Sequence, residues 1–312
     1  MPHPRRFRFG VQLHGPFPGT TWADTARQVE DLGYSTLFLP DHFDEGPGPI
    51  AGMAVAAAVT TTLHVGTLVF DNDYRHPVVL AKEMASIDVL SLGRCEVGIG
   101  AGWKRADYEQ AGISEDEPKV RVDRMMEGVA VLRGLWAEGP FSHAGEHYRI
   151  DALDGTPAPH RRGGPPLVIA GGAPRMLRFA GRHADIVGVN PSVPNGTVDV
   201  EAARDGMADR MDRKVGWVRE GAGDRFDELE INAWVPVARI TDDARGFAER
   251  IAPGFGVPPD DVLRSPMTMV GTVAGIADEL AARRERWGFS YHVVQDEAAL
   301  EMAPVVAALA GG

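Results

Sequence analysis

The adjacent residues Asp41 and His42 are the pair in this sequence most suited by type to do chemistry. They follow the apolar run STLFL (35–39), which is typical of a buried strand, and precede a loop rich in glycine and proline. Because an imidazole titrates near neutral pH, His42 is a candidate proton donor or acceptor, and the neighbouring carboxylate could fix its tautomer. The alternative is that Asp41 only caps a turn and His42 is a solvated loop residue.

Polar residues and glycines follow the other apolar runs in the same way. They are Gln12 and His14, Asp71, GIGAGW (98–103), AGGAP (170–174), Asn190 and Gln295. In AGGAP, two glycines allow the backbone to approach a ligand closely. Pro174 suits the first position of a helix, whose free N–H groups could bind a phosphate. An ordinary strand-to-helix turn is the alternative, and GIGAG alone is a weak nucleotide-binding signal.

Apolar runs alternate with helical periodicity along the whole chain. The expected strands are 9–13, 35–39, 64–70, 94–100, 166–170, 185–190, 229–237 and 290–295. Thr21 is expected to cap the first helix, with Gly33 just beyond its end, and Pro77 to begin the third. A charged helix is expected near 200–220.

Strands separated by helices predict parallel pairing. The fold class expected first is α/β, a (β/α)₈ TIM barrel with insertions, and an open doubly wound sheet comes second. Residues 1–312 then form one domain, with insertions near 137–166 and 240–267, where the connections are too long to be simple loops. In such a barrel the strand-end residues above share one rim, where barrel enzymes place their active sites.

Composition narrows the function classes. The chain has 312 residues and a formal net charge of -12, which argues against nucleic-acid and anionic-membrane partners. The single cysteine, Cys95, allows no internal disulfide and favours the cytoplasm. We identify no signal peptide, no apolar run of about 20 residues and no metal-binding motif. His64 is expected only to begin a strand.

The sequence as a whole resembles the luciferase-like monooxygenase superfamily, and within it the branch that uses the deazaflavin coenzyme F420. The resemblance is carried by FGVQL, GYSTLFLPDHF, the stretch from VGTLVF to GIGAGW, PLVIAGGAPRMLRFAGRHADIVGVN and VGTVAGIADELAARRERWGFSYHVV. It implies a TIM barrel with a flavin-type ring lying across its carboxyl-terminal mouth. It is also compatible with a homodimer.

The resemblance also implies roles for individual residues. Asp41 and His42 are expected to be catalytic, beside the reactive edge of the deazaflavin. The residues expected to contact the cofactor are Leu68 and Val69, joined by a non-prolyl cis peptide, Gly100, Ala101 and Gly102, Gly171, Gly172 and Ala173 at the phosphate, and Asn190. Gln12, His14 and Trp103 are candidates for contact with the substrate. Arg75, Lys104 and Arg105 either meet the acidic cofactor tail or lie in solvent.

Trp103 departs from the pattern of relatives that oxidise a sugar phosphate, which have a glutamate at this position. The expected function is therefore hydride transfer between F420 and a small organic substrate, by a reductase of C=C or C=N bonds or an alcohol dehydrogenase. The alternatives are an FMN-dependent monooxygenase of the same superfamily, a cofactor-binding barrel without turnover, and a metal-dependent hydrolase using Asp41, His42 and Asp71.

Overall fold

The computed structural model describes residues 5–44, 46–193, 196 and 199–311. Its strands are β1 (Arg8–Gln12), β2 (Thr36–Leu39), β3 (His64–Thr67), β4 (Phe70–Asp71), β5 (Cys95–Gly100), β6 (Phe141–Ala144), β7 (Arg149–Leu153), β8 (Leu167–Gly171), β9 (Ile186–Val189), β10 (Glu230–Val235), β11 (Val237–Ile240), β12 (Thr268–Gly271) and β13 (Phe289–Gln295). Its helices are α1 (Trp22–Asp31), α2 (Pro49–Val59), α3 (Pro77–Leu90), α4 (Arg105–Ala111), α5 (Pro118–Trp136), α6 (Pro174–His183), α7 (Val200–Asp205), α8 (Ala208–Ala222), α9 (Ala244–Phe255), α10 (Pro259–Arg264), α11 (Val273–Trp287) and α12 (Ala298–Leu309).

Parallel strands close into a barrel in the order β1, β2, β3, β5, β8, β9, β10, β13. The first and last strands pair with each other, and the pairing of β3 with β5 completes the ring on the other side. This closure confirms the predicted TIM barrel, so the open sheet was the wrong alternative. All eight strands run the same way, so their carboxyl ends form one rim.

A charged cluster fills the amino-terminal end of the barrel. Arg8 pairs with Glu96 and with Glu230, the latter at 2.6 Å, and Tyr291 donates to Glu96 at 3.1 Å. Burial opposes ionisation of Glu96, but Arg8 and His64 outweigh it and hold the pKa at about 2. Polar groups thus close the end opposite the rim.

The barrel interior above this cluster is packed with aromatic and apolar side chains. Phe38 and Tyr291 meet at 6.0 Å between ring centroids, among Val168, Ile186 and Val293. Gly66 makes room for them, because a Cβ there would lie 2.8 Å from the Phe38 ring. The barrel is therefore a packed core, and its open end is the rim.

Local signals fix the outer helices as expected. The Thr21 hydroxyl caps α1 by accepting from the Asp24 N–H, and Gly33 follows with φ +83°. Pro77 is the first residue of α3. These sequence predictions are confirmed.

Three predicted elements were wrong in extent. The third strand stops at Thr67 and resumes as β4, on either side of Leu68–Val69. The seventh predicted strand ends at Val235. The next strand, β11, begins at Val237 and pairs with β12 in a separate sheet. The charged helix is two helices, α7 and α8. Pro236 marks the break in the seventh strand, because proline cannot donate to a strand ladder, and Gly206 follows α7, whereas the apolar run VGTLVF gives no signal at Leu68–Val69.

Both long connections contain regular structure that periodicity did not reveal. Residues 137–166 include the antiparallel hairpin of β6 and β7, and 240–267 include α9 and α10, which share a small apolar cluster. Whether the chain forms one domain with these as insertions stays a prediction. No helix in the described ranges has the length and apolar character of a membrane span.

Candidate active site

Asp41 lies at the rim directly after β2, buried in a tight set of hydrogen bonds. Arg75 binds both of its oxygens, at 2.5 and 2.9 Å, and the backbone N–H of Asp71 donates to Oδ2 at 3.1 Å. This two-point geometry suits the planar guanidinium. The partner of the Asp41 carboxylate is therefore Arg75. The expectation that Asp41 fixes the tautomer of His42 was wrong, while the other suggested role of Asp41, a hydrogen bond to the cofactor ring, stays a prediction.

His42 is held by a residue that the sequence analysis did not single out. Its Nδ1 lies 2.6 Å from Oδ2 of Asp107, a buried carboxylate in the first turn of α4. Its ring meets Trp103 edge to face, with centroids 5.6 Å apart. No helix was expected at 105–111. The usable signal was Asp107 itself, followed by Gly112, which ends α4 with φ +69°.

A second set of acidic residues lies beneath His42 and Asp41. Tyr108 donates to Asp71 at 2.8 Å and to Asp73 at 3.2 Å. Burial, with added repulsion from Asp73 and Asp41, raises the pKa of Asp71 to about 6 despite the hydrogen bonds that it accepts. This cluster therefore favours a proton on Asp71 below about pH 6.

The side-chain amide of Gln12 makes three hydrogen bonds at the rim. Its Nε2 donates to the Leu68 carbonyl at 2.7 Å, while Oε1 accepts from Trp234 at 2.9 Å and from Gln295 at 3.0 Å. The Leu68–Val69 peptide is cis, which confirms that prediction. Gln12 contacts protein groups at both ends of its amide, and its contact with substrate stays a prediction.

His14 lies at the edge of the same rim, beyond β1. Its backbone N–H and Nδ1 both contact the carboxylate of Asp296, at 2.9 and 2.8 Å. These bonds join the loop after β1 to the end of β13. The suggested contact of His14 with substrate is untested.

Gly100 and Gly102 are required by the protein's own packing. A Cβ on Gly100 would lie 2.8 Å from Val69, and one on Gly102 would overlap the Tyr108 hydroxyl and the Asp71 carboxylate. Gly102 also has φ +72°, a conformation that favours glycine. Contact of these residues and Ala101 with the cofactor stays a prediction.

Gly171 ends β8, and Gly172 and Ala173 connect that strand to α6, next to the end of β5 in the ring. Ala173 provides no side-chain cap for α6 and Pro174 has no N–H, so the amides of Arg175 and Met176 have no helical partner. A Cβ on Gly172 would overlap Ser192 N, so this glycine is needed for close backbone packing. Close approach of a ligand and an ordinary strand-to-helix turn were the two interpretations of AGGAP, and contact of this turn with the cofactor phosphate stays a prediction.

Asn190 lies beside this turn at the end of β9. Its carbonyl and that of Gly172 accept from the buried Lys214 at 2.8 and 3.1 Å, and Lys214 also pairs with Asp205. Among the described residues, the buried Oδ1 of Asn190 has no hydrogen-bond partner. An acceptor of this kind fits a ligand that carries a donor.

The three basic residues suggested for the acidic cofactor tail each meet a carboxylate. Arg75 binds Asp41, Lys104 lies 2.6 Å from Asp44, and Arg105 lies 3.2 Å from Glu115. Within the described ranges there is no group of three or more His, Cys, Asp or Glu side chains arranged to hold a metal ion. Arg75 also occupies the carboxylate that the hydrolase alternative would need.

Comparison with known proteins assigns the sequence to a family. The model of the family described as luciferase-like monooxygenase matches residues 7–222. The chain belongs to this family. The superfamily part of the resemblance is thereby confirmed, on a match that includes Asp41, His42, the Leu68–Val69 peptide and the turn before α6.

Individual proteins with a described activity are also similar to this luciferase-like protein. It is 28% identical over 304 residues, 91% of this chain and 83% of the relative, to the F420-dependent glucose-6-phosphate dehydrogenase of Nakamurella multipartita. The protein of that description from Kineococcus radiotolerans is 29% identical, but the match covers only 52% of this chain and 50% of the relative. The F420-dependent tetrahydromethanopterin reductase of Methanopyrus kandleri has the same fold, with a TM-score of 0.71 at 19% identity over 96% of this chain and 97% of that one.

Proposed function

We propose that this protein is an F420-dependent oxidoreductase that acts on a small, uncharged organic substrate. The observation that carries the proposal is the similarity, over nearly the whole chain, to a relative described as F420-dependent. The imidazole of His42 at the rim supports it, because hydride transfer to or from an alcohol or a double bond also requires a proton to move.

The rim has groups that fit such a cofactor. The free amides of Arg175 and Met176 at the start of α6 suit a phosphate, since N–H groups and the helix dipole favour an anion there. The unpaired Oδ1 of Asn190 suits a hydroxyl or ring N–H donor. Deazaflavin, once bound, supplies the hydride chemistry, while the protein binds, orients and moves the proton.

The substrate class follows from what stands around His42. Trp103 is 38% exposed and Phe43 56% exposed, so apolar surface borders the imidazole. The nearby cations Arg75, Lys104 and Arg105 meet Asp41, Asp44 and Glu115. A phosphorylated sugar needs cations to bind its charge, so these contacts favour an uncharged alcohol, ketone, alkene or imine over glucose 6-phosphate.

A ligand titration tests the cofactor. Fluorescence titration should give binding of F420 well below millimolar and much weaker binding of FMN. The deazariboflavin part of F420, which lacks the phosphate, should bind more weakly than F420 if the start of α6 holds the phosphate. Equal or reversed affinity for F420 and FMN would contradict the proposal and favour an FMN-dependent monooxygenase, the function that the family's description suggests.

Turnover with a substrate panel tests the reaction. Oxidised F420 with short secondary alcohols, and reduced F420 with ketones, enones and imines, should show turnover with at least one class and little with glucose 6-phosphate. Binding of F420 without turnover on any of them would favour the non-catalytic barrel. A homodimer and a cytoplasmic location stay predictions.

A further inference from the structure

The imidazole of His42 is fixed through one of its two ring nitrogens. Nδ1 contacts Oδ2 of Asp107 at 2.6 Å, and Trp103 packs edge to face against the ring. Within the described part of the chain, Nε2 has no hydrogen-bond partner. The two nitrogens of this ring are therefore in different environments, one against a carboxylate and one available to a ligand.

Asp107 is itself held in place. Only 3% of this residue is exposed, and the Tyr74 hydroxyl donates to the same Oδ2 at 3.2 Å. Tyr74 packs against Tyr108, the next residue after Asp107, with ring centroids 5.7 Å apart. A buried carboxylate that accepts two hydrogen bonds has little freedom to turn, so it fixes the ring that donates to it.

We propose that Asp107 is the positioning residue of His42. An ionised carboxylate only accepts hydrogen bonds, so in the neutral imidazole the proton lies on Nδ1 and Nε2 is left as the acceptor. Asp107 thus selects the tautomer and aims Nε2 at the reacting group. The chemical part of this inference rests on the proposed function, but the tautomer does not.

The proton balance is simple in either direction. In oxidation of an alcohol, the O–H proton passes to Nε2 while the carbon-bound hydrogen leaves with its electron pair to the cofactor. In reduction, the proton on Nε2 passes to the substrate atom on which negative charge develops when the hydride is added. In both cases the imidazolium lies against the Asp107 carboxylate, which stabilises its charge.

The tautomer can be measured without cofactor or substrate. Nitrogen NMR of protein labelled at histidine, with the His42 signals assigned by their loss in His42→Gln, should show the Nδ1–H form of the neutral ring in the wild type. Asp107→Asn should shift the ring toward the other tautomer or a mixture, since the amide nitrogen can donate to the ring. Wild-type protein in the Nε2–H form would overturn the proposal, whatever the cofactor proves to be.

Kinetics give the second readout, with Glu109→Gln as the matched control. Glu109 is an exposed carboxylate on the same helix as Asp107, so the same chemical change is made outside the site. Asp107→Asn should lower kcat about 10²–10⁴-fold with KM and cofactor affinity changed less than about threefold. Asp107→Glu should recover part of that loss, and Glu109→Gln should match the wild type.

Tyr74→Phe provides a test that does not depend on the folding of the Asp107 variants. It removes one bond to Asp107 and leaves the carboxylate, so kcat should fall about two- to tenfold with the Nδ1–H tautomer retained. An Asp107→Asn protein that folds, binds cofactor and turns over like the wild type would refute the positioning role. Failure of F420 to bind, with the tautomer as stated, would instead refute the proposed function alone.

Discussion

Asp71 provides a test of the site's electrostatics that requires no substrate. This carboxyl belongs to the last residue of β4, is buried, and accepts from the Tyr108 hydroxyl and the Asp73 N–H. Burial raises its pKa from the ordinary 3.8 to about 6. Between those two pH values the folded protein holds a proton that the unfolded chain has lost, so stability falls as pH rises through this window.

The size of the effect follows from the two pKa values. A difference of about 2 corresponds to roughly 3 kcal/mol over the whole titration, at 1.36 kcal/mol for each pH unit. About 1.4 kcal/mol of this is lost between pH 5 and pH 8, because the folded-state titration is centred near pH 6. Asp71→Asn cannot ionise, so it removes this loss while its amide can still pair with Tyr108 and Asp73.

The assay is urea unfolding of wild type and Asp71→Asn at pH 5 and pH 8. The stability of the variant relative to wild type should increase by about 1.4 kcal/mol from the lower to the higher pH. The control is Asp31→Asn, which makes the same chemical change at an exposed residue at the end of α1, outside the site. A change below about 0.5 kcal/mol, or of opposite sign, would refute the assignment of this titration to Asp71.

Two substitutions separate catalysis from structure. His42→Gln should keep the fold and most of the affinity for F420 but lower turnover about 10²–10⁴-fold, because it removes the group that moves the proton; near-normal turnover would place the chemistry elsewhere, with His14 the next candidate. Gly172→Ala should lower the melting temperature, measured by differential scanning fluorimetry, by several degrees, because the added Cβ overlaps Ser192 N. An unchanged melting temperature would show that the turn can relax.

The barrel could be predicted because the same pattern, an apolar run followed by helical periodicity, recurs along the whole chain. Most barrel strands are largely apolar and adjoin turn residues, and local signals such as the Thr21 cap of α1 and Pro77 at the start of α3 act within a few residues of the chain. Parallel strands separated by helices then leave few topologies. The strand ends that this topology brought to one rim, including Asp41, His42 and Asn190, were therefore identifiable from the chain alone.

The partners within the rim were not predictable in the same way. Asp107 and His42 are separated by 65 residues, and Asp41 and Arg75 by 34, so no local pattern pairs either carboxylate with its partner. Adjacency in sequence favoured Asp41 as the partner of His42. Successive residues of an extended chain point in opposite directions, so neighbours in sequence need not share a partner. Register and loop conformation decide such pairs, and a single sequence encodes these only through the whole fold.

The side chains of the rim fall into two groups by the strands that carry them, and substitutions in the two groups should have different effects. His42, Asp107 and Trp103 come from the segments after β2 and β5, and the start of α6 and Asn190 lie on the adjoining arc of the rim, after β8 and β9, with β8 paired to β5. On the proposed function, the first arc moves the proton and the second holds the cofactor's phosphate. Substitutions on the first arc should then lower kcat at constant cofactor affinity, and those on the second should weaken cofactor binding first. Substitution of Trp103 should change substrate preference with less effect on cofactor affinity than substitution at the start of α6, because the groups that fit the phosphate belong to the segments after β8 and β9 and not to the segment after β5.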